Sequence, residues 1–200
     1  MVRTIFLDFG NVVAAFDHGR AIDKLKAFTA VPPIELALAL YGNPLEDAYE
    51  RGRISTEEYV RLAKSAGRLD CPESTFLAAF VDIFTANPEV CDLIPKLAWN
   101  HRLVLASNTN EAHFRQFSRQ FAEVLRHFAA LCPSHRAGYR KPEPEYFEYC
   151  QRFADVPPGD CLFIDDLPAN VEAAKRHGWK GLLYRPGGDL ALQLGELGIS

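Results

Sequence analysis

The sequence predicts a doubly wound α/β core, a parallel sheet with helices on both faces, interrupted after its first strand by a helical lobe. Three short runs rich in large or β-branched apolar residues each end in polar residues: TIFLD at Asp8, RLVLASN at Ser107, and CLFIDD at Asp165 and Asp166. Such runs are the pattern of strands buried on both faces. Helical patterns follow the later runs or precede them, and strands alternating with helices build a parallel sheet. From about Ala15 to Thr85 no convincing strand run occurs, only helical stretches.

Taken in order, the first strand ends at Asp8 and turns at Gly10-Asn11. Within the lobe, Ser55 with Glu58 three residues on forms a possible capping box before Tyr59 and Leu62. Gly42-Asn43-Pro44 and Cys71-Pro72 carry turn chemistry that separates other helices. Helices are expected at Pro88 to Trp99, Pro142 to Phe153 and Pro168 to His177, the last closed by Gly178. The pair Gly187-Gly188 breaks the last strand from a short terminal helix. The expected division is a core of residues 1–14 and 87–200 with the lobe at 15–86. Phe114, Phe117 and Phe121 recur at helical spacing and read as core.

Composition narrows the function. At 200 residues and 48% hydrophobic, the chain can bury a substantial core without staples. A net charge of −4 with scattered basic residues gives no face for nucleic acid. The amino-terminal apolar run is cut short by Asp8, so neither a signal peptide nor a membrane span is expected. Five widely spaced cysteines without a CxxC pair fit a reducing, cytoplasmic setting rather than zinc or a redox dithiol. No GxGxxG or GxxxxGK[ST] loop and no HExxH spacing occurs, which removes the usual nucleotide and zinc-peptidase readings. Nothing in the pattern demands an oligomer.

In an open parallel sheet, ligands bind beyond the carboxyl ends of the strands, where Asp8, Ser107 and Asp165-Asp166 would converge. Asp8, fixed at a strand end, makes a usable nucleophile, or else a cap for the turn behind it. Two unit charges about 4 Å apart interact by roughly 4 kcal/mol at an effective dielectric near 20, so three converging carboxylates call for a cation. Magnesium suits that set, keeping water and substrate phosphate in its shell. Asp165-Asp166 could equally cap the helix from Pro168. Ser107 could donate its hydroxyl, with neighbouring backbone N–H groups, to an anionic oxygen. Lys141, ahead of a proline-started helix in YRKPEPEYF, offers a point positive charge for phosphate or for the nucleophile.

The order Asp8 in LDFGNVV, Ser107 in LASNTN, Lys141 in YRKPEPEYF and Asp165-Asp166 in FIDDLPAN resembles the four motifs of the haloacid dehalogenase-like hydrolases, across essentially the whole chain. The segment YERGRISTEEY, Tyr49 to Tyr59, is similar to part of that family's small helical cap. The resemblance implies a Rossmann-like core and a phosphatase of small phosphate esters, sugar phosphates among them. It implies that Asp8 attacks phosphorus and that Ser107 and the Asn108 amide hold phosphoryl oxygens, while Lys141 neutralises charge. Magnesium would sit between Asp8, the Gly10 carbonyl and Asp166, with Asp165 binding through water or orienting the shell. Asn170 would act at most behind these ligands.

One position departs from the family. Its phosphatases usually carry a second Asp two residues after the nucleophile, to protonate the leaving alcohol, and here that residue is Gly10. Positioned acid catalysis contributes about 10² to 10⁴ in rate. Four explanations stand: a surrogate acid, with Asp17 or His18 the nearest candidates; a substrate with a good leaving group; a dehalogenase, which also attacks with Asp; or a non-catalytic domain that binds a phosphorylated ligand or a protein. Asp17 could instead cap the helix beginning around Gly19.

Overall fold

The computed structural model describes residues 1–199. Five parallel strands, β1 (Thr4–Leu7), β4 (Arg102–Ser107), β5 (Ala130–Pro133), β6 (Cys161–Asp165) and β7 (Lys180–Leu183), form one sheet in the order β5-β4-β1-β6-β7. Period-two alternation sends Ile5, Leu7, Leu103, Leu105, Leu162 and Ile164 into one apolar layer, and Phe6, Val104, Ala106 and Phe163 into the other. Because both faces are covered, the sheet is doubly wound. On the second face Phe6 stacks on Trp179 with ring centroids 4.0 Å apart.

Register brings the chemistry together. Leu7 pairs with both Leu105 and Ile164, so the residues following β1, β4 and β6 emerge side by side at one edge. The connecting helices are α6 (Pro88–Asn100), α7 (Glu111–Gln120), α8 (Ala122–Leu125), α9 (Ser134–Ala137), α10 (Pro144–Gln151), α11 (Pro168–Arg176) and α12 (Leu190–Glu196). The expected helix from Pro142 starts two residues later, at Pro144. Asp165-Asp166 do not cap α11; Leu167 occupies the cap position without a side-chain bond. Phe114, Phe117 and Phe121 are buried in the core.

Between β1 and α6 lie α1 (His18–Leu25), α2 (Pro33–Leu40), α3 (Pro44–Glu50), α4 (Thr56–Ala66) and α5 (Glu73–Val81). Asp17, Asn43 and Ser55 cap α1, α3 and α4 through their side-chain oxygens. The segment is not free of strands. A short antiparallel ribbon, β2 (Ala14–Phe16) paired with β3 (Phe84–Ala86), ties the entering chain to the leaving chain. Each strand has three residues, too few to leave a periodic signal.

The helical insert meets the core through α5 against α7 and through α3 against α9. Gly52, at φ 65°, follows α3, and a Cβ there would meet the carbonyl oxygen of His135 at 2.1 Å; only glycine admits both the left-handed backbone and the close approach. Arg51 then grips Glu143 at 2.8 and 2.5 Å and Asp47 at 2.8 Å. Arg140 reaches Asp47 and Glu50, each at 2.7 Å. Among the described residues, no helix is long and apolar enough to cross a membrane.

Candidate active site

Asp8 leaves β1 with its side chain 11% exposed, and Oδ1 accepts the Phe9 N–H at 2.7 Å. Lys141 Nζ lies 2.8 Å from the same Oδ1 and 2.7 Å from Asp165 Oδ2, and it donates to the Ala106 carbonyl at 2.8 Å. Its three donors are thus matched by three acceptors. Burial opposes the charge of Lys141, yet Asp165 and Asp8 hold its pKa above the ordinary lysine value. Burial also pushes the Asp8 carboxyl up to about 7, against the pull of Lys141.

The lysine is placed by a residue from another strand. Asn108 Nδ2 donates to the Lys141 carbonyl at 2.9 Å, and Asn108 Oδ1 accepts the Lys141 N–H at 2.8 Å. Those bonds commit the Asn108 side chain to positioning, so what it can offer an anion is its backbone N–H. Ser107, almost fully buried, contacts the Asn108 carbonyl only at 3.5 Å, a length at which its hydroxyl remains available for a stronger acceptor.

The paired acids are not equivalent. Asp165 is fully buried, and Oδ1 takes the Leu167 N–H at 2.8 Å. Asn170 Nδ2 reaches both of its oxygens at 3.0 and 3.1 Å. Asp166 is half-buried and accepts from Asn11 Nδ2 at 3.0 Å; burial raises its pKa. Asp8, Asp165 and Asp166 bring carboxylate oxygens within 4.8 Å of one another. Three carboxylates against one ammonium leave two negative charges, which a divalent cation with a preference for oxygen would cancel. The residues fit magnesium on charge and donor type.

Above this cluster, between the sheet edge and the insert, lies a pocket of about 90 Å³ lined by Gly10, Phe16, His18, Glu46 and Glu50 together with Ser107 and Asn108. A Cβ on Gly10 would meet the Phe16 ring at 3.0 Å, so the aromatic ring occupies the space beside the second residue after Asp8. His18 lines the pocket and stacks on Tyr41 at 3.7 Å; burial lowers its pKa. Asp17 is exposed and accepts the Gly19 N–H at 2.8 Å, the capping role left open by the sequence. Sequence reasoning passed over Asn11, the Asn108 side chain, Glu46 and Glu50. Only the Gly-Asn turn signalled the first, and nothing local signalled the others.

A family model for haloacid dehalogenase-like hydrolases matches residues 2–178. The chain belongs to that family of hydrolases. It is 27% identical over 208 residues to a D-ribitol-5-phosphate phosphatase of Bacteroides thetaiotaomicron, covering 97% of each protein. Its fold matches a HAD family enzyme of the same organism, crystallised with magnesium and inorganic phosphate, at TM-score 0.84 and 22% identity, over 96% of this chain and 99% of that one. A predicted HAD-like hydrolase from Porphyromonas gingivalis matches at TM-score 0.85 and 25% identity, over 100% and 99%.

Proposed function

We propose that the protein is a magnesium-dependent phosphatase that hydrolyses small phosphate monoesters, polyol and sugar phosphates among them, through an aspartyl phosphate on Asp8. The observation that carries this reading is the cluster in which Asp8, the more exposed of the two carboxylates paired with Lys141, directly precedes Phe9 and Gly10 of the pocket lining. Asp8 attacks phosphorus, and Lys141 keeps that carboxylate aligned while offsetting the charge of the phosphoryl group. The Ser107 hydroxyl and the Asn108 backbone N–H hold phosphoryl oxygens. Asp165, saturated by Lys141, Asn170 and Leu167, orients the lysine. Asp8, Asp166 and the Gly10 carbonyl would hold magnesium, which when bound withdraws charge from the phosphoryl oxygens.

Residues 15–86 act as a cap whose α3 wall meets the leaving group. A pocket of about 90 Å³ lies well below the roughly 300–1,000 Å³ of most small-molecule sites, and so favours a short substrate. Displacement of halide from carbon needs no cation, and the three clustered carboxylates would repel an anionic haloacid. Five free cysteines accord with a cytoplasmic enzyme.

The test is hydrolysis of p-nitrophenyl phosphate by purified protein with magnesium and with EDTA. Activity present in the first and absent in the second is expected. Equal rates in both would sink the metal-dependent mechanism, and none in either would sink the phosphatase.

A further inference from the structure

The phosphatase reading leaves the proton unaccounted for. Expelling an alkoxide from an unactivated ester needs an acid on the side of phosphorus opposite the nucleophile, and Gly10 offers none. The insert wall faces that side, and it presents three titratable groups to the pocket: His18, Glu46 and Glu50.

Geometry separates the three. Glu46 Oε2 is engaged by the Gly42 N–H at 2.6 Å. The His18 ring stacks on Tyr41 and meets Phe16 at a 45° tilt, and burial, its largest influence, favours the neutral imidazole over the acid form. Glu50 Oε2, in contrast, is buried without a hydrogen bond; Arg140 Nη2 stands 2.7 Å away as an ion pair without hydrogen-bond alignment. That pair takes up Oε2, which leaves Oε1 to carry a proton toward the pocket that Glu50 lines.

We propose that Glu50 is the general acid and base of this enzyme. The proposal rests on the phosphatase reading. Its backbone is pinned, since Ser134 Oγ donates to the Glu50 carbonyl at 2.7 Å and the next residue, Arg51, clamps Glu143. The carboxyl is therefore fixed relative to the loop that bears Lys141, as a proton donor must be. The charged groups acting on it are Arg140 and Lys141 from that loop and Glu46 and Asp47 from its own helix; the titratable His18 lines the same pocket. Burial outweighs the cations and pushes the carboxyl up to about 7, so near neutral pH both protonation states are populated.

The steps balance. Asp8 forms a bond to phosphorus as the ester P–O bond breaks, and the Glu50 proton passes to the departing oxygen, giving the alcohol, the aspartyl phosphate and a Glu50 carboxylate. Water then attacks phosphorus and gives a proton to Glu50. Hydrogen phosphate leaves, and the Asp8 carboxylate and Glu50 acid are restored.

The experiment is rapid-mixing kinetics of magnesium-loaded wild type and Glu50→Gln on p-nitrophenyl phosphate and on ribitol 5-phosphate. With the alkyl ester, Glu50→Gln should phosphorylate about 10²-fold more slowly. With the aryl ester the loss should be at least tenfold smaller, showing as a stoichiometric burst of nitrophenol followed by slow turnover as hydrolysis of the intermediate waits for its base. Equal losses on both esters would overturn the proposal, and so would a wild-type enzyme that cleaves the aryl but not the alkyl ester. A wild type inactive on both would instead remove the phosphatase reading on which it stands.

Discussion

The two walls of the pocket are built on opposite electrostatic terms. At the sheet edge, Lys141 is matched by three acceptors and Asp165 by donors on both oxygens. On the insert side, Glu46 and Glu50 sit with raised pKa values, and Glu50 Oε2 has an ion pair to Arg140 but no aligned hydrogen bond. A saturated cluster cannot rearrange cheaply, and it suits a nucleophile that must stay aligned. An unsaturated carboxyl can gain and lose a proton at little structural cost, and it suits the leaving-group side.

The largest effect falls on the saturated wall. Asp8→Asn should reduce turnover by roughly 10⁴-fold or more while the circular dichroism spectrum stays that of the folded protein. Lys141→Met follows. It leaves Asp8 and Asp165 facing each other without their shared cation, and breaking a buried pair from one side costs about 3–5 kcal/mol, readable in urea unfolding. A loss near zero would mean the cluster is not a structural unit. Asn108→Ala removes both bonds that place the Lys141 backbone, and about 1–3 kcal/mol of stability should go with them.

On the unsaturated wall the expected sign reverses. The Glu50 pKa is raised from 4.5 to about 7, so its favourable contribution to folding is full below the unfolded value and is lost as pH rises through about 7. Glu50→Gln should therefore melt above wild type at pH 8, and the advantage should shrink toward pH 4; a variant less stable at both would count against the raised value. The smallest effect is Asp17→Asn. Asparagine caps a helix as well as aspartate, so turnover of alkyl and aryl phosphates should each stay within about twofold. A selective loss on the alkyl ester would return Asp17 to the chemistry.

The same contrast explains what the sequence could reveal. Asp8, Ser107 and Asp165-Asp166 each follow a run of buried apolar residues, and parallel register alone brings strand ends together, so their convergence was readable from local pattern. Strand β5 was not: Ala130–Pro133 is a half-buried edge strand without β-branched residues. Glu50 was hidden inside a helical segment for a different reason. Its position depends on Gly52 packing against His135 and on Arg51 reaching Glu143, 92 positions away, and no local period encodes such docking. Asn108 resembled ordinary turn chemistry after a strand, and only the fold shows that its side chain holds Lys141.

The central claim is a covalent phosphoryl group on Asp8, and acid quenching during turnover of p-nitrophenyl phosphate with magnesium, followed by peptide mass spectrometry, measures it directly. The account predicts one phosphoryl group on the Asp8 peptide of the wild type and none on that of Asp8→Asn. Full turnover with no phosphorylated peptide at any quench time, or with activity retained in Asp8→Asn, would contradict it.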